Sequence, residues 1–144
     1  MKKNNNKGFS LVELIVVVLI LGILAVAVSP QVMKWVDKSK ISSDKDNANA
    51  LKSSVQTALA DWQGKGNTIP SSANFSATSN GGSALTSVTG VTTGGAWDGL
   101  EAVIDEVTAK DYPKTQYNTN GFTITIEKTT GKVTVSCDAQ TVSP

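Results

Sequence analysis

The residue whose type and position call for a chemical explanation is Glu13. It stands immediately before a run of 20 uncharged, mostly aliphatic residues, from Leu14 to Met33. A carboxylate carried to the centre of a membrane costs about 2.5–3.5 kcal/mol, so such a group is normally paired with a cation. The residues one helical turn away, at positions 9, 10, 16 and 17, are all uncharged. The partner of Glu13 must therefore come from another chain or from a newly made amino terminus.

Most catalytic chemistry lacks its residues in this chain of 144 residues, which is long enough for one domain. There is no His, which excludes Ser-His-Asp and Cys-His sites and metal sites with His ligands. There is also no Arg, which disfavours bidentate recognition of phosphate or guanine. The single cysteine, Cys137, cannot form an internal disulfide or a zinc cluster. We predict a protein that is not an enzyme, with no cofactor and no metal.

The uncharged run itself has two simple interpretations. As a helix it would be about 30 Å long, which matches the hydrocarbon core of a bilayer, so it could be a transmembrane anchor. It could also be a secretory signal peptide, with an apolar region from Leu14 to Leu24 and a cleavage site after Ala27. Neither interpretation explains Glu13.

A third interpretation comes from the sequence "KGFSLVEL", residues 7–14, together with the uncharged run and Pro30 near its end. This pattern resembles the prepilin signature of the type IV pilin-like family, which includes pilins and the pseudopilins of type II secretion and competence. The resemblance implies that a prepilin peptidase cuts after Gly8 and that the new amino terminus, Phe9, is methylated. Glu13 would then neutralise the Phe9 amine of a neighbouring subunit. Gly22 and Pro30 are the implied sites where the helix loosens or kinks.

The resemblance also implies an α+β fold, the type IV pilin fold, with a long N-terminal helix (about 9–63) packed on a small antiparallel sheet that ends in a hairpin. The expected divisions are a removed leader (1–8), a transmembrane and filament-core helix (9–33), an amphipathic half-helix (34–63) and a globular head (64–144). A kink at Pro30 is also expected from the residue itself, because proline removes a backbone hydrogen bond.

The implied function is that of a major structural subunit of a type IV pilus or similar filament. The subunit would wait in the cytoplasmic membrane and then enter a helical homo-oligomer at the cell surface. A prepilin peptidase, an assembly platform and an ATPase are its implied partners. The alternatives are a pseudopilin of a type II secretion or competence machine and a lone membrane-anchored binding module. Without residues 1–8 the chain has 10 Lys against 12 acidic residues, so no direct binding of nucleic acid is expected.

After Pro30 the pattern becomes amphipathic. Lys40 and Asp44 are spaced for an ion pair on one helix face. Five residues recur at helical spacing and predict a face that packs on the head: Leu51, Val55, Ala58, Leu59 and Trp62.

The head begins with a segment, residues 66–97, that has no charge and predicts a long neutral loop, with at most a short strand over 88–92. Within it Asn74 opens an N-glycosylation sequon, beside the plainer interpretation of an unmodified loop. A short helix is predicted at 99–109, with Asp98 as its N-cap. Its acidic neighbours predict a solvated face, because they lack the spacing of a calcium loop.

The C-terminal pattern predicts a hairpin over 121–138. Apolar residues alternate with polar ones on both sides of Thr130-Gly131, which predicts a sheet with one buried face. The residues predicted to be buried are Phe122, Ile124, Ile126, Val133, Val135 and Cys137.

Overall fold

The structure is a computed structural model that describes residues 9–82, 84–117, 120–137 and the backbone of 140–142. The elements follow the order α1 (Leu11–Gly64), β1 (Phe75–Ser79), β2 (Thr86–Thr89), α2 (Leu100–Val107), β3 (Phe122–Ile126), β4 (Val133–Cys137) and β5 (Gln140–Val142). The chain divides into two compact units, with the boundary between Lys38 and Ser39. The architecture is α+β, with a long N-terminal helix and an antiparallel sheet, which confirms the predicted fold class.

The first unit contains the N-terminal part of α1, up to Lys38. This part is helical throughout, and every described residue in it is exposed to solvent. Its aliphatic residues point in all directions around the helix, as in a segment that is buried by lipid or by other chains.

The second unit is the head, in which the remainder of α1 packs against the sheet and α2. The face of α1 predicted from helical spacing is buried, which confirms that prediction. Ala48 extends this face by one turn and is fully buried. The buried residues of α1 and of the strands belong to one continuous hydrophobic core. Because the apolar positions follow the helical repeat, a single face of the helix supplies its whole contribution to that core.

The sheet has five strands in the order β2-β1-β3-β4-β5, and all of its neighbours are antiparallel. Strands β3 and β4 form the predicted C-terminal hairpin, in which Phe122 pairs with Cys137 and Ile126 with Val133. Both strands alternate between buried and partly buried residues, so the predicted apolar face is confirmed. Gly131 has a φ of 68° in the turn, a conformation that glycine adopts without strain.

The segment 66–97 is not the neutral loop that its composition predicts. It contributes strands β1 and β2, and β1 is an interior strand of the sheet, between β2 and the central strand β3. The strand was missed because its sequence, FSATS, alternates small hydroxyl residues with only one large apolar residue, Phe75. The end of the segment is fixed by Trp97, which is fully buried and donates a hydrogen bond from Nε1 to the carbonyl oxygen of Ala73 (2.7 Å).

The start of α2 also differs from its prediction. Gly99, in the left-handed conformation, occupies the N-cap position, and no side chain caps the helix. The carboxylate of Asp98 instead accepts a hydrogen bond from the backbone N–H of Gly94 (2.8 Å), which closes the preceding turn. The helix ends at Val107, and the next residues to leave the helical region are Ala109 and Lys110, both with positive φ.

Candidate functional site

The N-terminus of α1 holds Glu13 in a local hydrogen-bonded arrangement. Its carboxylate accepts a hydrogen bond from the backbone N–H of Ser10 (2.8 Å). The hydroxyl of Ser10 in turn accepts a hydrogen bond from the backbone N–H of Glu13 (3.2 Å). This reciprocal pair is a capping box, which satisfies two backbone donors that the first turn of a helix otherwise leaves without partners.

This role of Glu13 was not predicted from the sequence. The Ser-x-x-Glu spacing of residues 10–13 was the available signal. The capping box explains an acid at this position without a second chain, and the carboxylate retains the capacity to accept further hydrogen bonds. The two explanations of Glu13 are therefore compatible and need to be separated by experiment.

Phe9 lies just before the helix and is 91% exposed, with no packing around its ring. Gly8, the predicted cleavage position, is outside the described residues. The main-chain nitrogen of Ser10, which contacts the Glu13 carboxylate, belongs to the peptide bond that follows Phe9. An amino terminus created at Phe9 would thus lie one residue before the nitrogen that contacts this carboxylate.

An exposed apolar surface begins at Phe9, just before α1, and continues along α1 to Val36. The helix contains a stretch that is long and apolar enough to cross a membrane, and none of that stretch is buried. Each large aliphatic residue from Leu11 to Val28 is 46–77% exposed. A surface of this size is not stable in water, so it must be covered by lipid or by protein.

Gly22 and Pro30 both lie inside α1, which is assigned as helix on either side of each residue. A Cβ atom added to Gly22 would meet no atom within 4 Å. The helix in this structure accommodates both residues, and their proposed loosening in an assembly stays a prediction.

Asp44 links α1 to the segment before β3 and was missed as a structural residue. It is only 2% exposed, and its two carboxylate oxygens accept hydrogen bonds from the backbone N–H groups of Gln116 (2.8 Å) and Tyr117 (3.0 Å). The predicted ion pair with Lys40 is wrong, since no such pair occurs within the part of the chain that the structure describes. Asp44 lies one turn before Ala48 on the buried face of α1, and this position was the signal for its burial.

The remaining predicted positions lie on the head. Asn74 is exposed beside β1, and its side-chain oxygen accepts a hydrogen bond from the backbone N–H of Lys128 (2.9 Å). Asp105 accepts a hydrogen bond from the hydroxyl of Tyr112 (2.5 Å). Burial, followed by this hydrogen bond, raises the pKa of Tyr112 well above its usual value. Among the described residues no group of three or more acidic or Cys side chains is arranged to hold a metal ion.

Comparison with known proteins finds a known motif in the N-terminal segment and several proteins that are similar over part of the chain. Residues 3–29 match the model of the prokaryotic N-terminal methylation motif. Over 51 residues the chain is 45% identical to the type II secretion system core protein G of Pseudomonas aeruginosa. Over 59 residues it is 36% identical to the type IV major fimbrial protein FimA of Dichelobacter nodosus. Over 60 residues it is 37% identical to the prepilin peptidase-dependent protein A of Clostridium perfringens.

The N-terminal segment is thus similar to that of type IV pilin-like proteins. This confirms the resemblance inferred from residues 7–14. The three matches cover 35%, 41% and 42% of this chain, and 36%, 38% and 43% of the respective relatives. The chain thus spans well under half the length of each relative it matches. No solved structure matches it.

The relatives include a secretion-system protein and a major fimbrial protein at comparable coverage, so the similarity does not separate the two classes. The candidate site is therefore the exposed apolar helix with its capped, acidic N-terminus.

Proposed function

We propose that this chain is a major structural subunit of a type IV pilus or a pilus-like filament. The observation that carries the proposal is the uncovered apolar surface of α1 over residues 11–36, most of which lies within the methylation motif of residues 3–29. In the free subunit this surface is covered by the lipid of the cytoplasmic membrane. In the assembled filament, which is exposed at the cell surface, it is covered by the same surface of other subunits.

Processing creates the cation that Glu13 lacks. A prepilin peptidase hydrolyses the peptide bond between Gly8 and Phe9, and the released α-amine of Phe9 is methylated. A methylated α-amine remains cationic at neutral pH, since ordinary amino termini titrate near pH 8. In the low-dielectric interior of a filament, an unpaired charge is strongly unfavourable, whereas a pair is tolerated. A subunit therefore enters where its amine meets the carboxylate of a neighbour, so that the pair selects the register of assembly.

A pseudopilin is the second candidate. It is favoured by the 45% identity to a type II secretion core protein, over 35% of this chain. Such a subunit would use the same processing, the same helix and the same pairing at Glu13, with an assembly platform and an ATPase as partners. The two candidates differ in whether a long extracellular filament consists mainly of this chain.

The first experiment is mass spectrometry of the mature N-terminus of protein from its native host. We expect a chain that begins at Phe9 and carries one additional methyl group. A chain that begins at Val28 would show an ordinary signal peptide and would refute the filament proposal. An uncut chain from a host with an active prepilin peptidase would also refute it, in favour of a simple anchor.

A set of three variants separates the two roles of Glu13. Glu13→Gln keeps an acceptor that can complete the capping box but removes the charge. Ser10→Ala removes the hydroxyl of the capping box but keeps the charge. Glu13→Ala removes both the charge and the side-chain acceptor of residue 13. We expect Glu13→Gln and Glu13→Ala to abolish or strongly reduce filaments counted by electron microscopy, while all three variants remain membrane-inserted.

Ser10→Ala is the matched control for local helix stability. Loss of an N-cap residue costs about 1 kcal/mol, which frays the first turn without removing the partner of the amine. We therefore expect it to assemble, with a moderate decrease in filament number. Normal assembly by Glu13→Gln together with failure of Ser10→Ala would show that Glu13 acts as a helix cap, and the charge-pairing proposal would be abandoned.

A further inference from the structure

The C-terminal end of the apolar surface carries a distinct group of polar and aromatic side chains. Trp35 is 65% exposed, and both Lys34 and Lys38 are exposed beside it. Residues 31, 34, 35 and 38 have the i, i+3, i+4, i+7 spacing of a single helix face, so Gln31 completes the group. We refer to Gln31, Lys34, Trp35 and Lys38 as the collar.

The position of the collar along the helix matches the thickness of a bilayer. Trp35 lies 22 positions after Glu13, so the two residues are about 33 Å apart along an α-helix. The hydrocarbon core of a bilayer is about 30 Å thick. When the capping box at Glu13 lies at one edge of the hydrocarbon, Trp35 lies at the opposite edge.

The chemistry of the collar matches that edge. An indole ring combines a large apolar body with one N–H donor and favours the layer between hydrocarbon and headgroups. Lysine side chains extend their ammonium groups from a helix end toward phosphate. The nearest acidic residue, Asp37, lies on another side of the helix from Trp35 but three positions after Lys34, and is thus a neighbour of that lysine.

From this arrangement we propose that the collar binds the phospholipid headgroup layer and fixes the depth of the unassembled subunit in the membrane. Trp35 lies at the hydrocarbon edge, and Lys34 and Lys38 contact lipid phosphates. The inference rests on the membrane insertion proposed above and adds the surface that sets its depth. Subunits held at one depth present Glu13 at one level, which is the level at which an incoming amine must meet it.

The depth of Trp35 can be measured by fluorescence quenching with brominated lipids. The full, unprocessed chain is reconstituted in vesicles of phosphatidylcholine and phosphatidylglycerol that contain lipids brominated at different acyl positions. The chain has three tryptophans, of which Trp62 and Trp97 are buried in the head. The difference between the original chain and Trp35→Phe therefore isolates the Trp35 signal.

We expect Trp35 at about 15–20 Å from the bilayer centre, just outside half of the hydrocarbon thickness. The shallowest bromine should quench the difference signal most strongly. Equal quenching in the original chain and Trp35→Phe would place Trp35 in water and overturn the proposal. Strongest quenching by the deepest bromine would overturn it as well.

The lysines are tested with a matched pair of double variants. We expect Lys34→Gln with Lys38→Gln to move Trp35 toward the bilayer centre by about 3–5 Å, the rise of two or three helical residues. Lys45→Gln with Lys52→Gln removes two lysines of the same helix inside the head and should leave the depth unchanged. An unchanged depth in the first double variant would overturn the role assigned to the lysines.

Extraction with alkaline carbonate distinguishes this proposal from the proposed function. If carbonate releases the chain from the vesicles, membrane insertion itself is refuted. If the chain resists carbonate and Trp35 is found in water or at the bilayer centre, only the collar is refuted.

Discussion

Replacing Asp44 with alanine tests whether one buried carboxylate holds the segment before β3 against the long helix. In the structure Asp44 is almost completely buried, and each of its oxygens accepts one backbone N–H group, from Gln116 and Tyr117. These contacts join positions that are 72 and 73 residues apart in the sequence. Asp44→Ala removes both acceptors and leaves the two N–H groups without partners.

The expected loss follows from the two hydrogen bonds. A hydrogen bond to a charged group contributes about 1.5–3 kcal/mol, so the loss of two corresponds to about 3–5 kcal/mol after some relaxation of the segment. In a head of about 100 residues this lowers the melting temperature by at least about 12 °C. Asp44→Asn should lose roughly half as much, since the amide offers one acceptor oxygen but directs a donor at the second N–H.

The assay is thermal and denaturant unfolding of the full chain in detergent, followed by the fluorescence of the buried tryptophans of the head. Asp46→Ala is the matched control, because Asp46 lies on the same helix and is exposed. We expect the control to stay within about 0.5 kcal/mol of the original chain. A stability of Asp44→Ala equal to that of Asp46→Ala would refute the reasoning. If Asp44→Asn kept the full stability of the original chain, the loss in Asp44→Ala would come from packing and not from hydrogen bonds.

Two further predictions concern the head. The pKa of Tyr112 is raised in the folded state above its unfolded value of about 10, so the unfolded chain loses this proton first, and the free energy of unfolding should fall as the pH rises above 10. Tyr112→Phe, which also removes the hydrogen bond to Asp105, should show a weaker fall when unfolding is measured as a function of pH. Gly90 has a φ of 86°, and a Cβ added there would overlap the carbonyl oxygen of Asn74, so Gly90→Ala should prevent normal folding of the head. The control is Gly82→Ala, at a φ of 95° but with no atom within 4 Å of the added Cβ, which should be only mildly less stable in unfolding measurements.

The N-terminal third shows what local sequence can determine. The resemblance to pilin-like proteins, the long helix and the apolar surface were all predictable, because a helix of this kind depends on residue types and on their spacing along one element. The same holds for the buried face of α1 and for the C-terminal hairpin, where periods of 3.6 and 2 residues indicate which side is buried. The capping box at Ser10 and Glu13 was also readable, and it was overlooked because the charge of Glu13 suggested a more distant partner.

The head shows what only the tertiary structure decided. Strand β1 consists mostly of Ser, Thr and Ala, whose weak preferences are overridden by pairing with β3 and by the packing of Phe75 on Trp97. Asp44 reads as a surface residue until the segment that contains Gln116 and Tyr117 folds over it. Asp98 reads as a helix cap until its carboxylate closes the turn at Gly94. In each case the deciding partner lies on another element or in an adjoining turn, so residue type and periodicity along one helix or strand could not reveal it.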